Sequence, residues 1–181
     1  MASAVPILLL QDPALAAVMT VPRRNASPEG ITESRRIFFV TAKTHGSRPL
    51  FQIERNASLF IEVLRSCVAR GAFKVHDFVV MPDHVHILIS MDASCSVERA
   101  MQLCKGGFSF QIKRRHGYLG EVWQRGFSEV RVYDEESLQR HRHYIALNPV
   151  RAGLAAAPGL FPYCFVALAR SKQGLKPSRG A

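Results

Sequence analysis

The chain has 181 residues, of which 48% are hydrophobic and 21% are charged. This composition is typical of one folded domain and excludes an intrinsically disordered chain. The formal net charge of +10 favours a polyanionic partner, with nucleic acid ahead of an anionic membrane because no long basic amphipathic helix is evident. A generally basic protein without such a partner is the alternative.

The cysteine pattern and the apolar start of the chain bear on the cellular compartment. The four cysteines have no C-x-x-C spacing, and in a chain able to bury a core we expect them to be reduced thiols. The apolar run at 4–10 is too short to span a bilayer, and no basic residue precedes it as a secretory signal requires. We therefore expect a cytoplasmic protein with no membrane partner.

The chain is expected to consist of a leader, one domain and a tail. Residues 1–30 are interrupted by prolines and small polar residues, which favours an extended or disordered leader. A true start at Met19 is the other explanation for this segment. The domain is expected at 31–160, and a basic tail at 161–181.

The domain contains four segments with the residue pattern of strands and three with that of helices. Aromatic and β-branched residues or strict alternation predict strands at 37–42, 72–80, 84–90 and 121–132, the last with an interruption at Gly126. Helical spacing of apolar residues predicts helices at 51–70, 96–115 and 134–147, with a weak point at Gly106-Gly107 and an end at Asn148-Pro149. This order predicts an α+β fold, a ferredoxin-like βαββαβ antiparallel sheet with an added C-terminal helix.

Two histidines stand at the start of the third predicted strand, after a Pro-Asp turn. Because side chains alternate along a strand, His84 and His86 share one face, while Val85, Ile87 and Ile89 share the other. Two imidazoles on a rigid, half-buried strand are a platform for a divalent metal. The alternative is that both rings merely line a half-exposed face of the sheet.

The third predicted helix carries Tyr144 and Asn148, which lie on the same helical face because they are four residues apart. Taken alone, Tyr144 is explained as an aromatic residue at the edge of the core, and Asn148 as an amide that ends the helix. Together with the two histidines they make a chemically coherent set. Two imidazoles and an amide oxygen can hold a Mg²⁺- or Mn²⁺-class cation against a phosphate, which a tyrosine hydroxyl then attacks to give a phosphotyrosyl link.

Four ordered motifs between about Arg36 and Leu154 resemble the signature of the single-tyrosine HUH transposases, and most closely the branch called REP-associated tyrosine transposases. These motifs are Phe38-Phe39-Val40-Thr41 with Arg48-Pro49-Leu50-Phe51, Met81-Pro82-Asp83-His84-Val85-His86, Trp123-Gln124-Arg125, and Tyr144-Ile145 with Asn148-Pro149-Val150-Arg151. The resemblance implies a ferredoxin-like domain that cleaves and rejoins single-stranded DNA beside hairpins or palindromes. It implies that His84 and His86 are metal ligands, Asn148 the third ligand and Tyr144 the nucleophile.

Basic side chains are the candidates for contact with the DNA backbone, where they set affinity and its salt dependence. They are Lys105, Lys113, Arg114, Arg115, Arg125 and Arg131. A solvated helix end is the alternative for the cluster at 113–115. Trp123 could stack on a base, although an anchor in the core is the favoured interpretation.

The predicted function is that of a metal-dependent single-stranded DNA endonuclease and strand transferase, acting as a monomer or homodimer. A second hypothesis is a regulatory module that binds DNA hairpins without turnover. A third is a metal hydrolase of small phosphate esters with an incidental basic surface. Cleavage assays with and without competing single-stranded DNA distinguish the three.

Overall fold

The computed structural model describes the backbone of residues 36–173 and the side chains of residues 36–170. The predicted leader at 1–30 lies outside the described residues. Four strands and four α-helices follow one another in the described part: β1 (Arg36–Lys43), α1 (Glu54–Ala69), β2 (Lys74–Val80), β3 (His84–Met91), α2 (Val97–His116), β4 (Ser128–Val132), α3 (Glu135–Arg151) and α4 (Phe165–Gln173). Helix α1 begins after residue 51, where its start was expected, because Leu50–Gln52 form a 3-10 turn.

The strands form one antiparallel sheet in the order β2-β3-β1-β4. Strand β3 lies in the middle, with His84 opposite Lys43 and His86 opposite Thr41 of β1. Strands β1 and β2 are joined through α1 and run in the same direction on either side of β3, which is the split βαβ arrangement of ferredoxin-like folds. The predicted fold class is confirmed.

Helices cover both faces of the sheet. Val85, Ile87 and Ile89 belong to the core beneath α1 and α2, whereas Leu88 belongs to a second core that includes Ile145 of α3. The expectation of a half-buried β3 was therefore wrong, since all its residues from 85 to 91 are buried. The reason is that α3 folds back over the face that carries the histidines.

Helix α2 is continuous through Gly106-Gly107, where a break was expected. A Cβ atom on Gly107 would lie 3.0 Å from Cγ1 of Val63, whereas one on Gly106 would meet no atom of the described residues within 4 Å. Gly107 therefore lets α2 approach α1 closely, and the packing between the helices offsets the low helix propensity of glycine.

The segment before β4 is a loop, so the strand predicted at 121–132 is correct only over its last five residues. Trp123 leaves the sheet after a single bridge to Thr44 and packs between Phe51, Phe60 and Phe108 of the first core. The favoured interpretation of Trp123 as a core anchor is confirmed. Backbone hydrogen bonds at Val122 and Gln124 still reach His45 and Lys43, and the chain bends at Gly126, where the interruption was predicted, before β4 begins.

Helix α3 continues through Pro149 to Arg151 instead of ending before the proline. Proline removes one backbone donor, but the turn survives because Ala152 N donates to Asn148 O at 3.1 Å and Leu154 N donates to Pro149 O at 2.8 Å. The buried Pro149 ring lies in the last turn, where few hydrogen bonds remain to be lost.

The segment assigned to a basic tail packs on the domain as far as it is described. Phe161 and Cys164 are buried in the second core, Cys164 bridges Val79, and α4 follows against β2. Apolar residues beyond 160 thus complete the cover of β2. Within the described range, no helix has the length and apolar character needed to cross a bilayer.

Candidate functional site

The first strand residues after the β2–β3 turn place two imidazoles side by side. The ring centroids of His84 and His86 are 4.7 Å apart, on the face of the sheet that α3 covers. His86 is buried with 5% exposure, whereas His84 keeps contact with solvent. The ring of His86 is therefore shielded from solvent, whereas the ring of His84 can be reached from the surface.

An oxygen atom holds the Nδ1 atom of each histidine. Thr41 Oγ1 lies 2.8 Å from Nδ1 of His86, across the β1–β3 pair. Asp83 Oδ1 lies 2.7 Å from Nδ1 of His84. Such contacts fix the orientation of a metal-binding imidazole and leave Nε2 as the nitrogen that faces the ligand. Both rings are therefore held in the way that metal-binding histidines usually are.

The second ring nitrogen of His86 differs from Nδ1 in its surroundings. Its Nε2 atom is buried and has no hydrogen-bond partner among the residues that the structure describes. Burial, followed by the influence of His84 and Lys43, lowers the pKa of His86 to about 3, so the ring is neutral at physiological pH. A buried, neutral and unpartnered nitrogen fits a metal ligand, because metal coordination would satisfy an atom that is otherwise costly to bury.

Helix α3 brings Tyr144 against this pair. The Tyr144 ring meets His86 at 5.2 Å between centroids with an angle of 73°, and it meets Phe39 edge-on at 5.7 Å. Phe39 also stacks on His86, at 5.2 Å and 22°. The phenol is half-buried and packs against the rings of His86 and Phe39, and these contacts fix its position relative to β3.

Asn148 lies one turn beyond Tyr144 on the same face of α3. Strand β4 ends opposite Ile37 of β1, and α3 then returns across the sheet to bring Tyr144 beside His86. The helix therefore runs towards the end of the sheet where His84 stands, opposite to the direction of β3. This direction carries the half-buried Asn148 towards the level of His84. Within the described chain, His, Cys, Asp and Glu side chains form no group of three or more able to hold a metal.

His141 does not join this group. Its ring packs on Phe39 at 4.7 Å and is buried, with Nδ1 2.7 Å from the carbonyl oxygen of Ser137. Phe39 contacts both His141 and His86. Helix α3 turns this side chain into the second core.

The six basic candidates do not gather around Tyr144. Lys113, Arg114 and Arg115 are exposed at the end of α2, on the opposite face of the sheet, and Arg115 pairs with Glu62 at 2.8 Å. The Arg114 guanidinium lies 6.0 Å from the ring of Phe110. These three side chains can contact a partner molecule, but they do not belong to the site formed by His84, His86 and Tyr144.

The other three basic candidates differ in availability. The Lys105 ammonium donates to the carbonyl oxygens of Gln124 and Gly126, so it holds the loop around Trp123. Burial lowers the pKa of Lys105. Arg125 is exposed in the same loop, and Arg131 lies over the Tyr133 ring at 5.1 Å.

Sequence reasoning missed the two oxygen atoms that hold the histidines. Asp83 was visible as the neighbour of His84, and carboxylate–histidine pairs at metal sites are a known pattern that could have singled it out. Thr41 belonged to the first motif, but nothing in the sequence linked it to His86, which lies 45 positions away in the chain. Only the register of β1 against β3 places that hydroxyl beside the ring.

A ferredoxin-like sheet with two histidines on a central strand, faced by a tyrosine on an added helix, has the architecture of the single-tyrosine HUH transposase class. The family model described as "Transposase IS200 like" matches residues 39–148. The chain therefore belongs to the IS200-like transposase family. The predicted resemblance to REP-associated tyrosine transposases is confirmed by the relatives that carry this description.

One such relative is a Haemophilus influenzae protein whose name is that of a REP-associated tyrosine transposase. It is 28% identical in an alignment of 101 residues that covers 50% of this chain and 57% of that protein. A second, uncharacterised protein of the same organism is 29% identical over 98 residues, covering 42% of this chain and 54% of its own length. The chain thus spans little more than half the length of these relatives. A solved structure of a REP-associated tyrosine transposase bound to a REP hairpin has the same fold, with a TM-score of 0.60 and 20% identity, over 87% of this chain and 92% of that one.

Proposed function

We propose that this protein is a metal-dependent single-stranded DNA endonuclease and strand transferase, with Tyr144 as its nucleophile. The observation that carries the proposal is the 5.2 Å contact between the rings of Tyr144 and His86. It joins a phenol from late in the chain to the strand that bears both histidines. Membership of a transposase family supports the class of reaction.

In this proposal His84, His86 and Asn148 hold a divalent cation of the Mg²⁺ or Mn²⁺ class. The support is the unpartnered Nε2 atom of His86 and the oxygen atoms of Thr41 and Asp83 at the Nδ1 positions. When bound, the cation supplies Lewis acidity towards the scissile phosphate. The chain itself keeps the rings oriented and excludes water from the inner histidine.

The reaction exchanges one phosphodiester bond for another. The phenolic oxygen of Tyr144 forms a bond to phosphorus while the bond from phosphorus to the 3′ oxygen breaks. The phenol loses a proton and the leaving oxygen gains one, so a 5′-phosphotyrosine link and a free 3′-hydroxyl result. Because the bond energy is kept, attack by a 3′-hydroxyl can rejoin a strand without ATP.

The proposed substrate is single-stranded DNA that carries hairpins or palindromic repeats. Its support is the net charge of +10 and the fold shared with a transposase that was solved with a REP hairpin. The exposed cations of α2 and of the loop at 121–127 lie away from Tyr144, so in this proposal they contact flanking phosphates. Contacts of that kind are salt-dependent and independent of sequence.

The test is a covalent adduct assay with hairpin-flanked single-stranded DNA and Mn²⁺, resolved on a denaturing gel. The wild-type protein should form a protein–DNA adduct and Tyr144→Phe should form none. Tyr133→Phe is the matched control, because Tyr133 is 69% exposed and lies before α3. This control should react as the wild type does.

An adduct that persists in Tyr144→Phe would assign the nucleophile to another tyrosine. Wild-type protein that shifts the hairpin on a native gel, yet never nicks it in excess metal, would be a regulatory binding module. Turnover of a small phosphate ester that competing single-stranded DNA does not inhibit would instead indicate the hydrolase hypothesis.

A further inference from the structure

Helix α3 places a cation beside the proposed nucleophile. The Cζ atom of Arg151 lies 5.9 Å from the centroid of the Tyr144 ring. Residues seven apart on a helix lie on the same face two turns along, so Tyr144, Asn148 and Arg151 form one stripe. Arg151 is exposed, and its guanidinium can therefore contact a molecule that reaches Tyr144.

The other two arginines of α3 lie near acidic groups, one in an ion pair and one at longer range. Arg140 pairs with Glu136 at 3.4 Å, and Arg142 acts electrostatically on the buried carboxylate of Asp77. Within the described part of the chain, no carboxylate lies within ion-pair distance of Arg151. Its N–H donors thus remain available for an anionic ligand.

We propose that Arg151 binds the nonbridging oxygens of the scissile phosphate while Tyr144 attacks phosphorus, an inference that rests on the proposed function. The planar guanidinium matches two phosphate oxygens at once, which an ammonium does not. A cation already placed where negative charge develops stabilises the transition state without reorganisation. Arg151 would therefore act on the rate of the reaction more than on the affinity for the hairpin.

The test compares two versions of the hairpin-flanked single-stranded substrate in single-turnover adduct formation. One has an ordinary phosphate at the scissile position, and the other has a methylphosphonate, in which a methyl group replaces one nonbridging oxygen and removes the charge. On the phosphate, Arg151→Gln should slow adduct formation by about 100-fold, and Arg151→Lys should lie between Gln and wild type. On the methylphosphonate, Arg151→Gln should react nearly as fast as the wild type does.

Arg140→Gln is the matched control, since it removes a paired arginine from the same helix and should change neither rate. Hairpin affinity and thermal midpoint of Arg151→Gln should equal those of wild type, because the side chain is exposed. An equal loss on both substrates, or no loss on the phosphate, would refute contact between Arg151 and the scissile phosphate. Failure of the wild-type protein itself to form an adduct would instead refute the proposed function, so the two failures are distinguishable.

Discussion

Replacing Asp77 by asparagine should stabilise the folded protein at neutral pH. Asp77 is only 7% exposed on β2, where its Oδ1 atom accepts a hydrogen bond from Phe78 N at 2.8 Å. Asparagine has the same shape and can accept the same hydrogen bond through its amide oxygen. The substitution therefore removes a buried charge with little change in packing.

The magnitude follows from the pKa of this carboxyl. Burial raises the pKa of Asp77 from 3.8 to about 6, against the opposing effects of the Phe78 hydrogen bond and the Arg142 charge. Since the folded pKa is the higher one, the folded state takes up the proton first as the pH falls. The associated stability is complete below 3.8 and is lost as the pH rises through about 6. About 2 pKa units correspond to ~3 kcal/mol in favour of the asparagine variant above this window.

Urea denaturation followed by the fluorescence of Trp123, between about pH 4 and pH 8, measures this difference. The variant should exceed wild type in stability at neutral pH, and the two should converge at the acidic end. Asp92→Asn is a control that should lower the stability at neutral pH, because hydrogen bonds from Ser94 lower the pKa of this exposed carboxyl. Equal stability of wild type and Asp77→Asn at neutral pH, or a difference that does not shrink on acidification, would refute the role assigned to burial.

Two further results are expected. Thr41→Val keeps the side-chain shape but removes the oxygen beside Nδ1 of His86, so it should weaken Mn²⁺ binding by roughly 10- to 100-fold in a titration of free Mn²⁺. Asp83→Asn should weaken Mn²⁺ binding less, because its amide oxygen still accepts a hydrogen bond. Unchanged Mn²⁺ affinity in both variants would contradict the metal site. Gly106→Ala should stabilise the protein against urea by about 1 kcal/mol, since its Cβ would meet no atom of the described part of the chain within 4 Å. Gly107→Ala should raise the stability less, or lower it, because its Cβ meets a valine methyl of α1 at 3.0 Å. An equal gain in stability from both alanines would show that the contact between the helices is not tight.

The predictions that held best came from the regular spacing of side chains, which is two residues along a strand and four along a helix face. Alternation along a strand placed His84 and His86 on one face, and the rings are neighbours. Helical spacing placed Tyr144 and Asn148 on one face of α3, and α3 is helical through both positions. Such relations depend only on local backbone geometry, which the residues of one segment determine among themselves.

The errors arose where distant packing overrode a local preference. Gly107 weakens a helix in isolation, yet its missing side chain admits Val63 of α1. The segment around Trp123 has the residues of a strand, yet the indole gains more by joining three phenylalanines of the first core. Neither partner is near in sequence, so no window of the chain contains the cause.

The sequence alone determined the order of elements, the fold class, the histidine pair and the tyrosine–asparagine pair, because periodicity and turn chemistry act within a few residues. Only the tertiary structure decided that the phenol of Tyr144 meets the ring of His86, that Thr41 supplies the oxygen behind that ring, and that Arg151 has no acidic partner among the described residues. These facts depend on how α3 lies across the sheet and on the register of β1 with β3. Both are set by the packing of two cores at once, which a local pattern does not encode.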